Sequence, residues 1–128
     1  MKLLLDTHLL LWAYDHPEKL PKAAAATLAD LANKPLFSAA SIWEVAIKRS
    51  RIGSSFSVDP RRLRLALLAN GYLELPITSE HAITVQDLPP IHKDPFDRIL
   101  IAQATVEGIT LLTSDRQVAK YPGPIRKV

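Results

Sequence analysis

Apolar and polar positions fall in short blocks along the chain, and the period of the blocks changes several times. Lys2 to Leu5 is an apolar run of strand length broken by Asp6, and Thr7 can cap a helix to about Asp15, where Pro17 forbids continuation. Residues 21 to 33, PKAAAATLADLAN, begin with a proline suited to a first helical turn and are dense in alanine, which predicts a second helix. Pro35 separates it from Leu36-Phe37-Ser38, a brief strand. Ser38 or Ser41 then opens a helix through Arg49, with Ile42, Val45 and Ala46 on one face, ending before Gly53. Arg61 to Ala69 reads as a helix with Leu63, Leu67 and Leu68 as its stripe and Asn70-Gly71 as terminator, followed by a strand over Tyr72 to Leu75. Ser79 to Gln86 is a further helix. Pro95 to Glu107 is a helix stopped by Gly108, and Ile109 to Thr113 is a buried strand ending in the turn-forming Ser114-Asp115. A last strand lies near Ile125 to Val128. Strands alternating with helices predict a small parallel sheet covered on both faces, a three-layer α/β/α sandwich.

The length of 128 residues suits one domain spanning 1–128, and no repeat or flexible linker divides it. The opening MKLLLDTHLLLWAY is interrupted by Asp6 after three leucines, and no run approaches the roughly 18 apolar residues that cross a bilayer. The chain has no cysteine, which excludes disulfides, thiolate zinc sites and cysteine nucleophiles. A cytoplasmic protein is expected. The formal net charge is +3, but Lys48, Arg49, Arg51, Arg61, Arg62 and Arg64 crowd one region. Such a run is either a solvated face or the footprint of a nucleic acid.

Several acids stand alone beside apolar runs, and each has a plain structural explanation. Asp6 in LLLDT follows a strand and suits a turn or cap. Glu44 in SIWE completes an S-x-x-E capping box with Ser41. Asp115 in TSD follows a strand, where an acid in a helix's first turn gains only about 0.3 to 1 kcal/mol from the macrodipole. In HKDPFDR, residues 92 to 98, Asp94 before Pro95 is a strong N-cap. Asp97, at the third helical position, has too short a side chain to close a capping box well, so chemistry is the better account of it.

Taken together the acids mean more. In a parallel sheet every strand-to-helix junction lies at the carboxyl edge, so Asp6 and Asp115, with Glu44 one turn further on, should face the same opening. Carboxylates within about 5 Å repel by several kcal/mol per pair at an effective dielectric near 20. A divalent cation offsets that repulsion. An all-oxygen set favours Mg²⁺ or Mn²⁺ over Zn²⁺, and such ions activate water and stabilise charge on phosphoryl oxygens.

LLLDTHLLLW, SAASIWEVAIK, HKDPFDRILIAQA and LLTSD, in this order, resemble the four acidic motifs of PIN-domain ribonucleases, most closely the VapC-type toxins of toxin–antitoxin pairs. The resemblance covers nearly the whole chain. It implies metal-binding and catalytic roles for Asp6, Glu44, Asp97 and Asp115, with Asp94 at a common accompanying position. It also implies Mg²⁺- or Mn²⁺-dependent hydrolysis of RNA phosphodiesters, a homodimer, and a cognate antitoxin that blocks the site. With those four acids set aside, nine acidic residues face sixteen basic ones, a surface able to hold an RNA backbone. Arg98 and Arg116, each next to a site acid, are candidate phosphate contacts.

Other readings compete. The chain could be a non-catalytic dimeric partner of an antitoxin or repressor, its acidic cluster occupied by the partner's arginine. A phosphoacceptor domain also clusters acids at strand ends, but the lysine expected on a late strand is not evident. His8, His16, His81 and His92 share no spacing that would suit a metal-free imidazole pair. Trp12 and Trp43 sit in apolar helical stripes and are expected in the core rather than stacked on bases. Thr7, Ser41 and Thr113 flank the acids and either orient them or cap helices.

Overall fold

Five parallel strands make one sheet in the order β3-β2-β1-β4-β5 in a computed structural model describing residues 1–128. The strands are β1 (Lys2–Leu5), β2 (Lys34–Ser38), β3 (Leu73–Leu75), β4 (Thr110–Thr113) and β5 (Ile125–Lys127). The helices are α1 (Thr7–Asp15), α2 (Lys22–Ala29), α3 (Ala39–Ser50), α4 (Pro60–Ala69), α5 (Ser79–Thr84), α6 (Pro95–Glu107) and α7 (Arg116–Ala119). Strand β1 lies at the centre, Leu4 level with Leu36 of β2 on one side and Leu111 of β4 on the other.

Alternation along the strands feeds two cores. Leu4, Leu36 and Leu111 join Leu100, Ile101 and Ala104 of α6 and Val118 of α7 on one face. Leu3, Leu5, Phe37 and Leu112 join Leu9 and Leu10 of α1, Val45 of α3 and Leu63 and Leu67 of α4 on the other. Both faces are therefore covered, as the unbroken apolar strands predict, and each leucine so buried is worth roughly 1.5 to 3 kcal/mol. No helix is long and apolar enough to cross a membrane.

Most elements lie where the pattern puts them, and the departures have local causes. The alanine-rich helix α2 ends at Ala29, earlier than expected, and Asp30 turns the chain by accepting the Ala32 N–H at 2.9 Å. Pro35 lies inside β2 instead of before it. The Lys34 N–H donates to Met1 O at 2.7 Å, so the proline nitrogen faces the other neighbour, β3, which begins pairing only at Leu36. The predicted helix over 79–86 closes as α5 with a 3₁₀ turn over Val85–Asp87. Its capping box uses Thr78 and His81. The short α7 follows directly on the expected turn Ser114-Asp115, with Asp115 as its N-cap. Gly108 ends α6 at φ 66°, the left-handed value that suits glycine.

Two side-chain expectations fail. Trp43 is 58% exposed, its ring edge-on to Phe96 at 5.0 Å, because α3 turns Val45 and Glu44 inward and leaves Trp43 on the flank. Trp12 does pack at the margin of the second core. The Ser41–Glu44 capping box does not form, since the helix starts earlier: Ser38 is the N-cap, its Oγ accepting the Ala40 N–H at 3.0 Å.

Candidate metal centre

The carboxyl ends of β1 and β4 deliver Asp6 and Asp115 side by side. Asp6, not Thr7, is the N-cap of α1, its Oδ1 accepting the Leu9 N–H at 2.9 Å. Its Oδ2 accepts a short bond from the Thr113 hydroxyl, whose oxygen in turn accepts the Asp115 N–H at 3.0 Å. Thr113 thus joins the two junctions and bonds both acids, the first of the two roles left open for it in the sequence. Asp115 caps α7 through Oδ1, which accepts from Gln117 N at 2.7 Å and Val118 N at 3.2 Å. Both aspartates are caps that also line one cleft, and in each only Oδ1 makes the cap bonds.

Helix α3 contributes Glu44, which is buried. Lys48, one turn on, donates from Nζ to Glu44 Oε2 at 2.7 Å, while Glu44 Oε1 is buried with no hydrogen-bond partner. The Thr7 hydroxyl donates to Ser41 Oγ at 2.9 Å and so ties α1 to α3 beneath this glutamate. Helix α6 contributes Asp97 from its first turn. Asp94 is the N-cap, as HKDPFDR predicts, accepting from Phe96 N at 2.8 Å and Asp97 N at 3.3 Å.

Asp6, Glu44, Asp94, Asp97 and Asp115 line one cleft of about 240 Å³, together with Thr7, His8, Leu11, Lys48 and His92. The four acids picked out in the sequence are all among them. Two of these carboxyls are raised, chiefly by burial. Burial pushes the Asp97 carboxyl up to about 7, helped by the charges of Asp94, Glu44 and Asp6 and opposed by His92. Burial also raises Asp6, against the bonds from Thr113 and Leu9.

His92 is the residue sequence reasoning missed. Its Nε2 lies 3.0 Å from Asp97 Oδ2 and 3.8 Å from Asp115 Oδ2. One donor atom each from His92, Asp97 and Asp115 lies within 4.8 Å of the others, close enough to surround an ion. The available signal was its place two residues before the N-cap of a helix that carries a site acid. Lys48 was also missed as a cleft residue, although its i,i+4 spacing from Glu44 is readable.

The candidate phosphate contacts diverge. Arg116 is exposed at the start of α7. Arg98 points inward: its guanidinium donates to Val85 O, Pro89 O and the Tyr121 hydroxyl, each at 3.0 Å. It is a bracket of the loop before α6 rather than a free cation. In the basic region Arg49 pairs with Asp59 at 3.2 Å and Arg64 with Glu74 at 2.6 Å, while Arg51, Arg61 and Arg62 have no acidic partner. A late strand does carry a lysine, Lys127 on β5, but it is exposed and not part of the cleft.

The cleft suits a hard divalent cation: five carboxylates, no thiol, and a buried glutamate oxygen with nothing to bind. A family profile described as PIN domain matches residues 3–124. The chain belongs to the PIN domain family. Its sequence is 28% identical over 133 residues to Ribonuclease VapC22 of Mycobacterium tuberculosis, with 95% of each chain covered. Its fold is similar to that in the VapBC2 complex of Rickettsia felis bound to a promoter DNA fragment, at a TM-score of 0.74 and 16% identity, covering 100% of this chain and 99% of that one. The DNA-bound VapBC of Salmonella typhimurium gives a TM-score of 0.66 at 15% identity, covering 99% and 98%. The sequence resemblance to PIN domains is thereby borne out across almost the entire length.

Proposed function

We propose that this PIN domain is a Mg²⁺- or Mn²⁺-dependent endoribonuclease and the toxin of a toxin–antitoxin pair. The observation that carries the reading is Glu44 Oε1, a buried carboxylate oxygen without a partner in a cleft where burial, helped by the neighbouring carboxylates, pushes the Asp97 carboxyl up to about 7. Asp6, Glu44, Asp97 and Asp115 would hold the ion, which supplies water activation and charge stabilisation on a phosphate. Thr113 fixes the spacing of Asp6 and Asp115 through its hydroxyl. Lys48 holds one oxygen of Glu44, and Arg116 with the unpaired Arg51, Arg61 and Arg62 provides positive charge for the RNA backbone. The similarity to VapC22 supports RNA as substrate, and the similarity to VapBC complexes supports an antitoxin partner. The same reading includes a homodimer in the cytoplasm.

Purified, partner-free protein should cleave single-stranded or looped RNA with Mg²⁺ or Mn²⁺, and Asp6→Asn should abolish most of that cleavage. Equal cleavage in excess chelator would overturn the metal mechanism. One observation favours a second reading, a non-catalytic partner whose acidic cluster is filled by a cationic side chain. Lys48 already does this to Glu44. RNA left intact by metal-loaded protein that still binds its antitoxin would select that alternative.

A further inference from the structure

His92 has no role in the reading above, yet more bonds converge on it than a loop turn needs. Its N–H donates to the Tyr121 hydroxyl at 2.7 Å, and that hydroxyl donates back to the His92 carbonyl at 3.2 Å. Arg98 donates to the Tyr121 hydroxyl at 3.0 Å and approaches the His92 carbonyl at 3.5 Å. One hydroxyl has one proton and two lone pairs, so all three of its bonds are compatible. The backbone of His92 is thereby held from α6 and from the residue 29 positions later in the chain.

The ring is held as tightly. The Asp94 N–H donates to His92 Nδ1 at 3.2 Å. A backbone N–H can only donate, so Nδ1 presents its lone pair and the proton of the neutral ring sits on Nε2, facing Asp97 Oδ2 at 3.0 Å. Coordination of an ion through Nε2 would need that nitrogen's lone pair. The ring proton would then move to Nδ1, against the Asp94 N–H. The three-residue grouping of His92, Asp97 and Asp115 looks like a ligand set by distance, but its hydrogen bonds oppose histidine ligation.

We propose that His92 is a positioning residue and not a metal ligand: as the Nε2–H tautomer it donates to Asp97 and holds that carboxylate beside Asp115, while Arg98 and Tyr121 aim it. Donors of this kind behind a ligating carboxylate are worth about 10- to 100-fold in metal affinity. The inference rests on the metal-centre reading, and the experiment separates the two.

Imidazole ¹⁵N spectra of the metal-free protein should show His92 protonated at Nε2 and bare at Nδ1, unchanged in saturating Mg²⁺. A proton on Nδ1, or loss of the Nε2 proton on adding Mg²⁺, overturns the proposal. In calorimetric titrations with Mn²⁺, His92→Ala should weaken binding about 10-fold or more. His92→Gln, which puts an amide N–H near the Nε2 position, should recover most of the loss, and His92→Asn should not. Tyr121→Phe keeps the ring and its packing but removes the hydroxyl. It should weaken Mn²⁺ binding in the parent and have no further effect on His92→Ala, with melting temperatures confirming folded protein. Equal losses in both backgrounds would make Tyr121 a general stabiliser and end its aiming role. Wild-type protein that binds no Mn²⁺ would fail the metal centre itself, and equal Mn²⁺ binding by wild type and His92→Ala would fail only the role of His92.

Discussion

The two edges of the sheet carry cavities of opposite character. At the amino ends of β1 and β4 a cavity of about 530 Å³ is lined by Met1, Lys2, Leu36, Leu75 and residues 107–110. At the carboxyl ends the acidic cleft has about 240 Å³. The larger one is chemically quiet: its one acid, Glu107, is matched by His81 Nε2 at 2.9 Å. The smaller one gathers five carboxylates against one lysine and two histidines. Parallel strands explain the asymmetry, because β1, β2 and β4 each run from the carboxyl edge into a helix and helix starts favour aspartate among their caps. Asp6 and Asp115 are such caps. Unmatched charge, and not volume, singles out the candidate site.

The hardest test of this contrast removes one charge from each edge. Asp97→Asn should lower Mg²⁺-dependent cleavage by orders of magnitude, whereas Lys2→Ala should leave it unaltered. Comparable losses at both edges would erase the distinction. The next effect concerns protons. A carboxyl with an ordinary value of 3.8 that sits at about 7 in the folded protein binds a proton the unfolded chain has already released. That raised value stabilises the protonated folded state, so in chelator the melting temperature should fall as pH climbs from about 4 to about 7 and level off above. Asp97→Asn removes this slope, and its melting advantage over the parent should grow across the same window. A parent curve flat over that range would contradict a raised Asp97 carboxyl.

Asp94 sharpens the comparison within one helix turn. Asp94→Ala loses the cap bonds to Phe96 and Asp97 and should cost about 1 kcal/mol in chemical denaturation, with much of the activity per folded molecule retained. Abolished cleavage in a fully folded Asp94→Ala protein would assign Asp94 to the ion. The smallest effect is electrostatic. Replacing the unpaired Arg61 and Arg62 with Ala should reduce the log–log salt slope of RNA binding by about 1.4, at roughly 0.7 per phosphate contact. Arg64, held by Glu74, should add little.

Element types were legible because strands and helices here differ in period and are separated by proline and glycine. Asp6, Glu44 and Asp115 were legible because parallel strands bring their junctions to one edge, and Asp97 because it fits a capping box poorly and lies in a motif that resembles a PIN-domain one. His92 was not, since its place depends on a loop closed by Arg98 and Tyr121, contacts that leave no local pattern. Arg98 misled for the same reason: beside a site acid in sequence, it turns toward backbone carbonyls. Ser41-x-x-Glu44 has the spacing of a capping box, but Ser38 at the end of β2 starts the helix first. Trp43 shows that membership of an apolar stripe does not decide which side of a neighbouring helix a ring will meet.

The double duty of Asp6 and Asp115 has a genetic consequence. Aspartate codons reach both asparagine and alanine by a single base change. Asparagine keeps a cap as good as aspartate, whereas alanine forfeits about 1 kcal/mol at the start of a helix. Under the proposed function, silencing mutations at these codons would therefore fall into two inherited kinds: one yielding an inert protein that persists with its surface intact, the other an inert protein cleared sooner by proteolysis.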